Sequence, residues 1–203
     1  MNNIPSEAAK TYFEGVADGY MEASFRWPWS YLRQHEAKAF FSLCADLSNK
    51  RVLDLGCGSG FFSSLALQKG ASHVVAVDFS AAMLSNLPHD RVSQVTADIS
   101  LPLPLNEKFE VIFIAGVLEF LNFPETALTN ARIVAQHNAN LILLAPCDNW
   151  LGGCYQSFHR NHGVTIHRFS TRRLEGLAKA TGWIIEQKKT VFPFAHVQQW
   201  RKV

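Results

Sequence analysis

Residues 52–62 read VLDLGCGSGFF. Apolar residues flank Asp54 and stop at Gly56, and Gly58 and Gly60 then follow with one residue between each pair. An apolar run that ends in spaced glycines predicts a buried strand entering a loop that bares its backbone to a ligand. Two familiar loops are excluded by spacing. A triphosphate loop needs GxxxxGK followed by Ser or Thr, a string absent from the chain. A dinucleotide loop needs GxGxxG, and counting from Gly56 and Gly58 its third glycine falls on Phe61, where a ring would wedge helix and strand apart.

Outward from this loop the chain alternates strand-like and helix-like stretches, the pattern of a parallel α/β sheet. Strands are expected at Arg51 to Leu55, His73 to Val77, Val92 to Ala97, Phe109 to Ala115 and Asn140 to Ala145. Helices are expected from Phe61 to Lys69, closed by Gly70, from Ser80 to Leu87, and after Pro124, where Ala127, Leu128, Ala131 and Val134 share one face. CDNWLGGCYQSFHRNHG, residues 147–163, reads as an irregular segment rich in Gly, His and aromatic residues. Ser170 then caps a helix stopped by Gly182, and Trp183 to Val191 and Phe194 to Trp200 read as an antiparallel pair.

The chain of 203 residues, 48% apolar with 15 Phe, suffices for one domain with a single core. Residues 1–50 precede the first strand, hold Tyr12, Tyr20, Trp27 and Trp29, and read as a helical cap or lid on a core of residues 51–203. The longest apolar run, Val111 to Leu118, is too short for a membrane span. MNNIPSEAAK shows no basic leader followed by an apolar stretch, so a cytoplasmic protein is expected. Cys44, Cys57, Cys147 and Cys154 form neither a CxxC pair nor a zinc-ligand spacing, which suits reduced thiols and no metal. Charge is uneven, with nine basic against two acidic residues after position 150. Such a tail either attracts an anionic partner or is a solvated basic face.

LDLGCGSG followed by VDFSAAML resembles the glycine loop and second-strand acid of class I S-adenosylmethionine-dependent methyltransferases, small-molecule branch. The resemblance implies a Rossmann-like sheet of seven strands, mainly parallel with the last antiparallel, and helices on both faces. It implies S-adenosyl-L-methionine as cofactor, held by Asp54, Gly56, Cys57, Gly58 and Gly60 of the loop. Asp78 would accept hydrogen bonds from the ribose hydroxyls, with Phe79 and Met83 beside it. Asp98 would take the adenine amino group, with Ile99 against the ring. Ala115 and Gly116 would line the methionine end, and Tyr20 would close over the cofactor from the cap.

Methyl transfer from a sulfonium asks mainly for alignment and exclusion of water, so a base need not be strong. Where many relatives carry VLEHL, this chain has VLEFL, and Phe120 stands in place of the histidine. The remaining candidates for a base are Tyr155, His159 and His162, while Arg160 could hold an anionic group of the acceptor. Glu119 reads as an acid at a helix start, structural rather than catalytic. FRWPWSYL offers Trp27 and Trp29 to stack on an acceptor. The expected reaction is methylation of oxygen or nitrogen on a small acceptor, planar or lipophilic and anionic in one version. The rivals are a modifier of RNA or protein acting through the basic tail, and a cofactor-binding scaffold without turnover.

Overall fold

Buried strands alternate their side chains between two faces, and each face needs its own cover of helices. The computed structural model, which describes residues 9–16, 29–87, 90–193 and 195–203 and gives Trp29 by its backbone alone, meets that need on both sides. Its strands are β1 (Arg51–Leu55), β2 (His73–Asp78), β3 (Val92–Thr96), β4 (Phe109–Ala115), β5 (Ala135–Pro146), β6 (Trp183–Val191) and β7 (Ala195–Lys202). They lie in one sheet in the order β3-β2-β1-β4-β5-β7-β6. The first five are parallel, and β7 runs antiparallel to both β5 and β6.

The helices are α1 (9–16), α2 (Trp29–Leu43), α3 (Phe61–Gln68), α4 (Ala81–Leu84), α5 (Pro124–Val134), α6 (Trp150–Asn161) and α7 (Thr171–Thr181). A single 3-10 turn covers Leu118–Phe120. Leu53, Val75, Ile112 and Leu141 share one sheet face with α5 and α7, where Trp183 and Trp200 are buried. Val52, Val74, Phe113 and Ile142 share the other with Phe40 of α2, Phe62 of α3 and Leu84 of α4. Each central strand thus feeds both cores by alternation, which is why these strands read as continuous apolar runs. Among the described residues no helix is long and apolar enough to cross a membrane, and no cluster of three or more His, Cys, Asp or Glu could hold a metal.

Three expectations need correction. Residues 147–163 are not irregular: Trp150–Asn161 form α6, started by Asn149, whose Oδ1 accepts the Gly152 N–H at 2.7 Å. Gly152 and Gly153 suggested a loop because glycine is a poor helix former. Gly152 is needed there, since a Cβ at that position would collide with the Cys147 carbonyl. β5 also begins at Ala135, five residues before the expected start, where Gln136, His137 and the positive-φ Asn138 interrupt the apolar pattern. The register with β4 shifts there between Phe109 and Val111. The helix expected over Ser80 to Leu87 is shorter, ending at Leu84.

Asn130 of α5 fixes the connection after β3. Its buried amide donates to the carbonyl of Ile99 at 3.0 Å and to that of Leu101 at 2.7 Å. Asn130→Ala would leave both carbonyls without that donor, a loss of about 1–3 kcal/mol. A thermal melt should show the midpoint lowered by roughly 2–4 °C for each kcal/mol lost.

Candidate functional site

The loop after β1 turns because three glycines take backbone angles closed to other residues at low cost: φ is 71° at Gly56, 52° at Gly58 and 82° at Gly60. A Cβ on Gly56 would strike Val117, and one on Gly60 would come within 2.5 Å of the Leu87 side chain. At Gly58 the space beyond the backbone is open, the condition for a ligand to approach the main chain. The loop is tied to β2 by the N–H groups of Gly56 and Cys57, which both donate to the Val77 carbonyl at 2.8 and 3.1 Å. Gly60 then caps α3.

Asp78, at the end of β2, is buried and accepts the Gly58 N–H at 2.9 Å on Oδ2 and the Ser80 N–H at 2.9 Å on Oδ1. A carboxylate offers about four acceptor positions, so room for at least one ligand hydroxyl remains. Burial raises the Asp78 pKa, against the lowering effect of those backbone bonds. Asp54 is deeper. Its Oδ2 accepts the Ser63 hydroxyl at 2.6 Å, and burial, helped by the Asp78 charge, pushes its pKa up to about 7. After β3, Asp98 accepts the Ser100 N–H at 2.8 Å on Oδ1.

These acids open onto one cleft at the carboxyl ends of β1, β2, β3 and β4, of about 180 Å³. Asp54, Gly56, Cys57, Gly58, Asp78, Phe79, Met83, Asp98, Ile99, Ala115 and Gly116 all line it, whereas Gly60 stands behind it as the cap of α3. The Cys57 thiol is held far above its usual range by burial and the charges of Asp54 and Asp78, so it is no nucleophile. Tyr155 and His159 reach the cleft from α6. His162 and Arg160 do not line it; the His162 ring pairs with the Phe158 carbonyl at 2.8 Å. Tyr20 and Trp27 lie outside the described residues, as does the side chain of Trp29.

His159 is walled by rings, with centroids of Tyr155 at 4.6 Å and of Phe120 at 5.5 Å. Burial, then the nearby His162, press its pKa down to about 4, so it is neutral near pH 7 and a weak proton acceptor. Phe13 of α1 lies edge-on to Phe120 at 5.0 Å and to Phe79 at 6.4 Å, bringing α1 across the cleft. Three charged lining residues were not anticipated as functional: Arg33 and Glu36 from α2, and Glu119. Arg33 and Glu36 are spaced by three on a helix and share a face, but nothing local says that this face turns to the cleft. Burial drives the Glu36 pKa up to about 7 and the Glu119 pKa up to about 8.

Residues 53–143 match the family model described as a methyltransferase domain. By this match that stretch, just under half of the chain, is a methyltransferase domain. The ribosomal protein L11 methyltransferase of Legionella pneumophila (strain Paris) is 40% identical over 78 residues, 36% of this chain and 27% of that protein. A tRNA U34 carboxymethyltransferase of Shewanella putrefaciens is 30% identical over 125 residues, 58% of this chain and 35% of that one. The chain therefore spans about a third or less of the length of these curated relatives. Among solved structures, magnesium protoporphyrin IX methyltransferase of Synechocystis with bound SAH superposes with a TM-score of 0.76 at 16% identity, over 98% of this chain and 100% of that one. The fold of the methyltransferase domain is thus the expected seven-stranded, Rossmann-like one, helices on both faces.

Asp78→Ala removes an acceptor for two backbone N–H groups and for a ligand hydroxyl. We expect S-adenosylmethionine affinity to fall by roughly 10–100-fold, the worth of a hydrogen bond to a charged group, in a calorimetric titration. The three carboxyls raised to near neutrality or above, Asp54, Glu36 and Glu119, keep protons that the unfolded chain has already lost near pH 4. Stability contributed by these groups falls as pH rises toward 8. Below about pH 6.5 the depressed histidines His159, His167 and His196 act in the opposite sense, because there the unfolded chain binds the extra protons. Melting temperature should therefore decline between pH 6.5 and 8, and Glu119→Gln should flatten that decline, a difference of order ~1 kcal/mol.

Proposed function

We propose that this chain transfers a methyl group from S-adenosylmethionine to oxygen or nitrogen of a small acceptor, planar or lipophilic. One observation carries the reading: Asp78, with an acceptor position to spare, shares a cleft with the open Gly58 backbone and an aromatic wall. The residues present fit the cofactor. The loop of Gly56 to Gly58 would take its methionyl part, Asp78 the ribose, and Asp98 with Ile99 the adenine. When bound, it supplies a methyl group on a positively charged sulfur, already activated for displacement. The chain has to hold the acceptor in line and keep water out.

Tyr12 and Phe13 of α1, Phe120 and the edge-on pair of Tyr155 and His159 supply that enclosure. Residues 1–50 serve as the cap in this reading, with α1 as the part that closes. Arg160, the residue expected to hold an anionic acceptor, stands off the cleft, and Arg33, which lines it, stands among acids. The reading therefore favours a neutral or cationic acceptor over an anionic one.

A second reading has its own support. The two curated relatives above act on a ribosomal protein and a tRNA by name, and Arg172, Lys179 and Lys189 are exposed on α7 and β6. Binding to tRNA that weakens steeply with added salt would favour it. For the first reading, calorimetric titration with S-adenosylmethionine and its demethylated product, with NAD and ATP as controls, should show saturable binding of the sulfonium pair alone. Extracts supplied with labelled S-adenosylmethionine should then yield a methylated small molecule. Failure of the pair to bind would sink the reading, and binding without any product would leave a scaffold.

A further inference from the structure

Glu119 is buried at 2% exposure in the 3-10 turn after β4, and its Oε2 has no hydrogen-bond partner among the described residues. A buried polar atom left unsatisfied is costly, and its persistence calls for a reason. The carboxyl points at the part of the cleft that the cofactor reading reserves for the methionine end. A Cβ built on Gly116 would meet Glu119 Oε1 at 3.8 Å, in ordinary contact. Its turn is held in place by the His167 N–H, which donates to the Glu119 carbonyl at 2.8 Å.

We propose that Glu119, coupled to Glu36 and Arg33, is the proton acceptor of the cleft, ionising when the sulfonium enters and taking the proton that an N–H or O–H acceptor gives up. This rests on the methyltransferase reading above. The electrostatics run as follows. From α2, the Glu36 charge disfavours ionisation of Glu119, and Arg33 favours it. Asp54 and Asp78, at the ends of β1 and β2, add negative charge to the same cleft, and Asp98 lies beyond them at the end of β3. From α6, His159 is neutral near pH 7 and Tyr155 is a phenol; from α1, Tyr12 is another. In the free protein burial keeps Glu119 in its neutral acid form through pH 7. A cation placed beside it shifts the balance to carboxylate, because opposite charges in a dry site attract strongly.

The charge account then closes. Entry of the cation expels the Glu119 proton to solvent, leaving a carboxylate. As the acceptor's nitrogen or oxygen bonds to the methyl carbon, the carbon–sulfur bond breaks and its electron pair stays on sulfur as a neutral thioether. The proton lost by the acceptor passes to Glu119, which returns to the neutral acid. A buried ion pair is thereby converted to two neutral groups, a change that a low-dielectric site favours. The acceptor class follows: it must give up a proton from the reacting atom, as an N–H or O–H does, and an acceptor with no proton to lose, such as a tertiary amine, would leave Glu119 unused.

S-adenosylmethionine and S-adenosylhomocysteine differ by one methyl and one positive charge, so together they isolate the effect. The test is calorimetric binding of each at pH 7, repeated in buffers of different ionisation enthalpy to count protons. Wild-type protein should release more protons with S-adenosylmethionine than with S-adenosylhomocysteine, by up to one per site. Glu119→Gln, which keeps the shape of the neutral acid, should erase the difference, and Glu36→Gln should reduce it. Equal proton counts for the two ligands in the wild type, or a difference that survives Glu119→Gln, would overturn the proposal while leaving the methyltransferase reading standing. Binding of neither ligand by wild type sinks both. Should Glu119→Gln fail to fold, carbon-13 NMR of the wild-type glutamate carboxyls decides instead, one resonance ionising on addition of S-adenosylmethionine and not of its product.

Discussion

The hydrogen bond from the Gly58 N–H to Asp78 Oδ2 at 2.9 Å joins two elements 20 residues apart and sets the form of the site. Together with the two N–H groups that converge on the Val77 carbonyl, it folds the loop after β1 down onto the end of β2. No side chain larger than hydrogen could follow that path at Gly56, where Val117 fills the space a Cβ would need. The parallel pairing of β1 with β2 brings Asp54 opposite Ala76 and Leu55 opposite Val77, which delivers the loop to Asp78. The acid therefore both builds the loop and remains able to serve a ligand.

Crowding of acids is the second feature of the cleft. Burial leaves Asp54, Glu36 and Glu119 with proton affinities that belong near neutrality rather than near pH 4. A protein pays for such an arrangement in stability, which is a reason to associate it with a cationic ligand or with proton movement. The histidine that most resembled a base points the other way, since its surroundings of rings hold it neutral.

The sheet was legible because its central strands are buried on both faces and read as unbroken apolar runs, from Val74 to Val77 and from Val111 to Ile114. The glycine spacing and Asp78 were legible because backbone geometry demands those residues locally. What escaped was set by tertiary contact. α6 was hidden by Gly152, whose lack of a side chain is dictated by the Cys147 carbonyl rather than by any loop. Glu119 looked like an ordinary helix-start acid, because nothing in its neighbours along the chain reveals that α2 brings Glu36 and Arg33 toward it. The early start of β5 was masked by exposed polar residues around Asn138.

The strand order carries a consequence for assembly of the fold. β7 follows β6 in the chain yet lies between β5 and β6, so β6 touches the rest of the sheet only by way of β7. β6 thus depends on β7 for its place in the sheet, while α2 and α7 pack on it directly. Local pairing of neighbours in sequence is quick, whereas zipping β7 along seven residue pairs of β5, from Asn140 with Arg201 to Pro146 with Ala195, must wait for distant segments to meet. β6 therefore hangs on a single partner strand, at the edge of the sheet farther from the glycine loop.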